Sequence, residues 1–402
     1  MMGVGKQFKD KQVSFQDRLS GREITRLTDW LGHSWQFYFT HPCWIDGGRA
    51  FLFHSERDNA GNYFRYELAT GDIIQLTDNQ GEVFFNSCLS PATACFYHCS
   101  GNTLQELDLN TLQGRPVFEA EPPFLPRGHG SQISATADGR HVVTILEDPT
   151  EDDSTDKENT GHDPKFRSPF FNPPLSRLVR IDVASGDSEL VYEDRRYITH
   201  LNTSPTRPEL MTFCHEGPWH LIEERIHGLN LETGEEWNIR PQHGEYSVIA
   251  EHWFADGETL GFRSHNRAAN DTRFGSIRHD NSGHVETVLP YSRHFHSLDG
   301  SLVVGDGMPV YLLPGMLNTT ITWPYILLHQ REGAGQGWGP ARVLAYHGSS
   351  FSGQRCHPHP HITPDGRHVL FTTNMSDYSN IYLAEIGDVE DLPLLNLETG
   401  GI

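Results

Sequence analysis

The chain has 402 residues, with 53 acidic against 31 basic side chains and a formal charge of −22. Such a surface repels nucleic acid and anionic membranes, and a polyanionic ligand would need a local cationic site. Apolar residues at 36% and aromatics at 11% suffice for a buried core, and 38 glycines with 24 prolines point to many turns.

The first residues, MMGVGKQFKDKQVSF, hold no apolar run of signal-peptide length, and no later segment is long enough to span a bilayer. Cys43, Cys88, Cys95, Cys99, Cys214 and Cys356 form no C-x-x-C pair. Free thiols in a reducing cytoplasm are therefore expected.

In chain order, SGREITRLTD (20–29) reads as a lone strand. A pattern then recurs: strand, Asp-Gly-type turn, strand, strand, Thr-Gly-type turn, strand. It begins with CWIDGGRAFLFHS and NYFRYELATGDIIQLTD. NSCLSPATACFYHC with LQELDLNTLQGRPVF is a degenerate copy. ISATADGRHVVTILED with RLVRIDVASGDSELVYED follows, then LMTFCHEG with IHGLNLETGEEWNI and EHWFADGETLGFRS with FGSIRHDNSGHVETVL. FHSLDGSLVVGDG with WPYILLHQ, and HPHITPDGRHVLFTTN with SNIYLAEI, complete seven copies.

The strands are β-branched and aromatic, separated by glycine turns, and helix-period stretches are almost absent. This predicts an all-β fold, a seven-bladed β-propeller in one domain spanning 1–402. The last copy lacks a fourth strand, so SGREITRLTD is expected to close that blade. An insertion at about 149–175, polar and acidic and then Pro- and Phe-rich, reads either as a surface loop or as a lid. Residues 306–321 form a second irregular stretch.

Three histidines, His357, His359 and His361, alternate with Pro358 and Pro360 in QRCHPHPH. In an extended strand alternate side chains share a face, so the imidazoles would project together. QRCHPHPH, SRHFHSLDG (with His294 and His296) and AEHWFADG (with His252) all stand at the start of an innermost strand, where propellers gather ligands. CHEGPWHLIEER, with His215, Glu216, Trp219, His220 and Arg225, follows one. Histidines of successive blades are expected to face one region.

LGHS…YF…DG, TFCHEGP…R, DGSLVVGDG and Q..HPHP..TPDG..VLFT, in this order, resemble the oligogalacturonate lyases, family 22 of the polysaccharide lyases. The likeness extends over most of the chain. It implies a seven-bladed propeller and a cytoplasmic enzyme that splits oligogalacturonate, a pectin fragment, by β-elimination. It also implies a divalent metal, Mn2+, held by Gln354, His357, His359 and His294, and a site arginine at Arg225. His33, Tyr38 and Trp219 are expected against the sugar.

Elimination removes the C5 proton of a uronate and expels the oxygen on C4. A cation on the carboxylate stabilises the enolate-like intermediate, and neutral imidazoles leave the ion most of its charge. An arginine can clamp the developing charge, and a neutral histidine is a suitable base. The family's base falls here on Ala250, so the base is open among His252, His220 and His215, and a related uronate-containing sugar is the close alternative to oligogalacturonate as substrate. His33 and Tyr38 stand behind them. His252 shares strand parity with position 250.

Two rivals follow. A non-catalytic propeller binding sugar or protein would explain Ala250 but has no use for a metal cage. A serine peptidase would need G-x-S-x-G, which the chain lacks.

Overall fold

The computed structural model describes residues 3–78, 86–126, 132–148, 170–218, 221–242, 246–266, 268–269, 271–309, 322–333 and 337–401. They form seven antiparallel sheets, the blades of a β-propeller, numbered I to VII in chain order. Among the described residues helical structure is limited to short turns, and no helix is long and apolar enough to cross a membrane.

Two compact units emerge, one of residues 1–83, 261–276 and 284–402, the other of 84–260 and 277–283. In the first unit, blade I holds Ser34–Gln36, Ala50–Ser55, Asn62–Glu67 and Asp72–Gln75. Blade VI holds Phe295–His296, Leu302–Gly305, Tyr325–Gln330 and Arg342–Tyr346. Blade VII holds His361–Ile362, His368–Ser376 and Tyr378–Glu385. Its fourth strand is Glu23–Arg26, paired antiparallel to Tyr378–Glu385, which is the closure expected from SGREITRLTD. Val13–Gln16 adds a fifth strand there, and Gln7–Lys9 pairs with the outer edge of blade I.

The second unit contains blade III, closed by Ser188–Asp194, and blade IV. Blade IV runs Ile198–Thr203, Leu210–His215, Ile226–Asn230 and Glu236–Ile239. Tyr246–Trp253, the innermost strand of blade V, also belongs here. The 149–175 insertion joins two strands of blade III. Residues 149–169 lie outside the described residues, as do 310–321 of the second irregular stretch.

The repeated turn has a repeated cause. In TADG, Thr136 Oγ1 donates to Asp138 Oδ1 at 2.7 Å, and Asp138 accepts from the Arg140 amide at 3.0 Å. In TPDG, Thr363 and Asp365 repeat both bonds at 2.6 and 3.1 Å. The threonine and aspartate tie the turn to itself, and the following glycine takes the left-handed φ that L-residues resist.

Core residues lie between neighbouring sheets. Val143, Ile145 and Leu178 of blade III pack with Ile198, Met211, Phe213 and Leu229 of blade IV. Val304, Ile326 and Leu344 of blade VI pack with Val369, Phe371 and Tyr382 of blade VII. Each such side chain contributes about 1.5–3 kcal/mol by leaving water. That layer fixes the innermost strands, and with them the segments that carry the histidines.

Candidate metal centre

QRCHPHPH is not a straight strand. Gln354–Cys356 coil into a 3-10 turn, and the His357 amide donates to the Gln354 carbonyl at 3.1 Å. His359 then takes a left-handed φ of 42°, which resets the alternation. As a result His357 and His359 meet His294, with ring centroids 5.4 and 4.4 Å from it, while His361 faces His296 at 5.3 Å. One ring nitrogen from each of His294, His357 and His359 lies within 4.8 Å of the others, and all three residues are buried.

Hydrogen bonds fix which nitrogens face inward. His357 Nε2 donates to the Phe351 carbonyl at 3.2 Å, which leaves its buried Nδ1 without a partner. His359 Nε2 is likewise a buried nitrogen without a partner. Asp306 accepts the His294 amide on Oδ1 at 2.8 Å and His294 Nδ1 on Oδ2 at 2.6 Å, so the imidazole turns Nε2 outward from that pair. Burial pushes His357 and His359 far below the ordinary 6.5, reinforced by Arg293 and the neighbouring imidazoles. Two imidazoles held neutral, His357 and His359, clustered with His294, fit a divalent cation, which binds the deprotonated ring. A cation there would satisfy the two orphaned nitrogens.

A second ring of contacts holds the ligands. Gln36 Nε2 donates to the Pro358 carbonyl at 2.8 Å and to that of His359, and the Thr372 amide donates to Pro358 at 3.0 Å. These bonds pin the left-handed residue. Burial pushes the Asp306 carboxyl up to about 7, opposed by the His294 amide. Gly307 follows it with φ 54°, and a Cβ there would strike the Trp323 and Tyr325 carbonyls. His347 Nε2 donates to the Asp306 carbonyl at 3.0 Å, while its Nδ1 accepts the Ser349 amide at 2.9 Å. Carboxylate-to-imidazole bonds of this kind set a ligand's tautomer and angle. Asp306→Asn should weaken metal affinity about 10–100-fold with the fold retained, because Asn offers an acceptor to only one of the two His294 donors. Calorimetric metal titration reads this.

Tyr38 lies against the cluster, 4.9 Å from His359 and 6.1 Å from His294 between centroids, and Phe39 packs on the same rings. Gln354 is exposed and opens the turn that leads to His357. His33 is engaged elsewhere: its Nδ1 accepts the Ser379 amide at 3.1 Å and its ring packs on Tyr378.

In the second unit Arg225 is buried among acids. Its Nη1 donates to Glu216 Oε1 at 2.9 Å. Its Nε faces Glu251 Oε2 at 3.8 Å, and both of these buried atoms lack a hydrogen-bond partner. Glu251 Oε1 accepts from Cys214 Sγ at 2.5 Å. Glu216 also accepts the Gly217 amide at 3.1 Å and faces His200 Nε2 at 3.6 Å. Burial pushes Glu216 up, but Arg225 and His200 outweigh it and hold the carboxyl at about 2.

The sign of that shift gives a pH prediction. A carboxyl depressed from 4.5 to about 2 stabilises the fold at neutral pH by on the order of 3 kcal/mol, and that stability is lost as pH falls from about 4.5 towards 2. Glu216→Gln should therefore be the less stable protein at pH near 7, with the gap closing below about pH 4. Urea denaturation at both pH values measures it.

The remaining base candidates fare differently. Ala250 carries φ 64°, so the strand parity expected between 250 and 252 is broken. His252 is buried, with Nδ1 facing the Ala250 carbonyl at 3.3 Å, and burial pushes it down to about 4. His215 packs 3.9 Å from the His227 ring, and burial pushes it to about 3. It lines a cleft of about 580 Å³ with Glu216, Tyr192, Asp194 and Arg196. Phe170, at the end of the insertion, lines the same cleft and covers Gly217, where a Cβ would run into its ring. Trp219 and His220 lie outside the described residues.

The oligogalacturonate lyase family profile matches residues 2–390. The chain belongs to the oligogalacturonate lyase family. An oligogalacturonate lyase of Dickeya dadantii is 27% identical over 96% of this chain and 99% of its own length. An oligogalacturonide lyase of Pectobacterium atrosepticum is 28% identical over 93% and 96%. A solved oligogalacturonate lyase in complex with manganese superposes with a TM-score of 0.81, at 26% identity, covering 98% of this chain and 99% of that one. The propeller expected from the repeats is thus the fold of this lyase family.

Sequence reading missed Asp306, Gln36, Glu251 and His200. Asp306 stands in the conspicuous GDG of DGSLVVGDG, but there it reads as turn chemistry. Gln36 and His200 carry no local signal, since each is a single polar residue on a short strand.

Proposed function

We infer that the chain is a metal-dependent lyase that cleaves short oligogalacturonides by β-elimination, leaving an unsaturated uronate. The observation that carries this reading is the trio of buried histidines, His294, His357 and His359, with ring nitrogens within 4.8 Å of one another in a chain of the oligogalacturonate lyase family. Manganese is the cation we assign, supported by the solved relative in complex with manganese. When bound, the ion supplies Lewis acidity to a uronate carboxylate.

The chain's own residues do the rest. Asp306 and Gln36 hold His294 and His359 at fixed angles, and Gln354 is assigned as the fourth ligand. Tyr38 offers a ring face beside the imidazoles for a sugar. Arg225 is assigned by its motif position as the guanidinium for the developing carboxylate charge, and within its own unit Glu216 and Glu251 lie against it. The six cysteines, all free, support a reducing cytoplasmic location. A non-catalytic sugar-binding propeller is disfavoured, because the chain belongs to a lyase family and gathers three buried histidines that could hold a cation.

The test is ultraviolet absorbance of the conjugated C4=C5 uronate during incubation with oligogalacturonides of graded length. Chelated protein should be silent and manganese-reloaded protein active. Absence of product from the reloaded protein on every length would end the lyase reading.

A further inference from the structure

A uronate carries a carboxylate, and a chain with a formal charge of −22 must meet it with local positive charge. One such group belongs to the same compact unit as the three imidazoles. Arg293 immediately precedes His294, in the segment that enters Phe295–His296, the innermost strand of blade VI.

The backbone of that segment is held at several points. Arg263, only 1% exposed, donates through Nη1 to the Ser292 carbonyl at 3.2 Å and to the Arg293 carbonyl at 3.4 Å. Trp323 Nε1 donates to the Tyr291 carbonyl at 2.8 Å, and Ser292 Oγ accepts the Gly307 amide at 3.0 Å. The Arg293 side chain therefore leaves from a fixed point beside a fixed ligand.

That side chain is half-buried and makes no ion pair or hydrogen bond among the described residues. Asp306, the acid bound to His294, is already engaged, with Oδ1 on the His294 amide and Oδ2 on the His294 ring. The positive charge nevertheless reaches the cluster. After burial, Arg293 is the strongest influence lowering His357, ahead of His359 and His294, whose ring centroids lie 5.2 and 5.4 Å from that ring. Partial burial without a counter-ion costs the fold stability, and a positive neighbour opposes a bound cation. The fork of N–H donors matches a carboxylate, which takes two of them at once. Arg225 belongs to the other unit, where it lies against Glu216, and takes no part in this assignment.

We propose that Arg293 is a substrate-binding residue that takes a uronate carboxylate of the oligogalacturonide beside the metal ligands; this rests on the lyase reading above. The incoming carboxylate accepts two N–H bonds from the guanidinium. It also brings the negative charge that Arg293 lacks in the protein itself, and so offsets the repulsion between the guanidinium and a cation on the imidazoles.

The experiment compares wild type, Arg293→Gln and Arg293→Lys, all manganese-loaded, on one oligogalacturonide of a length that wild type cleaves. Arg293→Gln should raise KM about 10–100-fold, as expected for losing hydrogen bonds between charged partners, with kcat within about threefold. Arg293→Lys should fall between the two, because it keeps the charge and loses the fork. Calorimetric titration of manganese into the chelated proteins should find Arg293→Gln binding the metal as tightly as wild type or more tightly, since a positive neighbour has gone. A KM within about threefold of wild type in Arg293→Gln overturns the assignment. So does weaker manganese binding or a lowered thermal midpoint in that variant, since either marks Arg293 as a support for His294. A wild type that yields no unsaturated product overturns the lyase reading itself, and this assignment falls with it.

Discussion

His359→Ala is expected to lose bound metal and lyase turnover together. His359 contributes one of the two ring nitrogens of the trio that are buried without a hydrogen-bond partner, so removing it takes one donor from a set of three imidazoles. Residues that merely orient a ligand cost about 10–100-fold in affinity when changed, and loss of a ligand should exceed that. The backbone should hold, because Gln36 and the Thr372 amide grip the Pro358 and His359 carbonyls whatever side chain follows. His361→Ala is the control. It changes a buried histidine two residues on whose ring pairs with His296, and it should keep its metal. Elemental analysis after dialysis, beside the ultraviolet assay, reads both variants. Full metal occupancy in His359→Ala would remove His359 from the ligand set.

The contrast between those two histidines marks the boundary of what the sequence discloses. The blades are legible because each is fixed by local chemistry: Thr136 with Asp138 and Thr363 with Asp365 close the same turn in distant copies. The closing strand is legible because Glu23–Arg26 looks like the outer strand missing from the last copy. Gln7–Lys9 is not, being three residues too short for a readable alternation, held by pairing with Asp72–Gln75 and by Phe8 packing on Trp30 and Phe64. Within QRCHPHPH the histidine types declare a ligand, but the alternation misassigns the faces. The left-handed turn at His359 is fixed by Gln36, a partner 322 and 323 positions away from the two carbonyls that it binds, and no local rule anticipates it. The same holds at Ala250 and His200, where positive φ on an innermost strand redirects what period-two reasoning would place. Buried charge is equally hidden. Arg225 reads as an available cation, yet Glu216 and Glu251 lie against it once the blade folds.

That pairing shapes what replacing Arg225 should do. Arg225→Lys is expected to fold and to lose turnover by about 10²–10³-fold, the usual effect of deleting one preorganised donor to a developing charge. A lysine retains the positive charge that Glu216 requires, so the buried carboxylate is not abandoned. It lacks the planar fork, so it cannot reach Glu216 and also present a second N–H towards a substrate carboxylate. Arg225→Ala should behave differently. It leaves Glu216 and Glu251 buried, one of them ionised with a carboxyl held at about 2, and should cost about 3–5 kcal/mol of stability before any question of catalysis arises. The denaturant midpoint separates the two effects: near wild type for the lysine variant, sharply lowered for the alanine variant. Manganese content should be unchanged in Arg225→Lys, because the ligand trio is made of other residues. A lysine variant with near wild-type turnover would show that Arg225 serves only to neutralise two buried acids, and the clamp on the developing charge would then have to come from another residue.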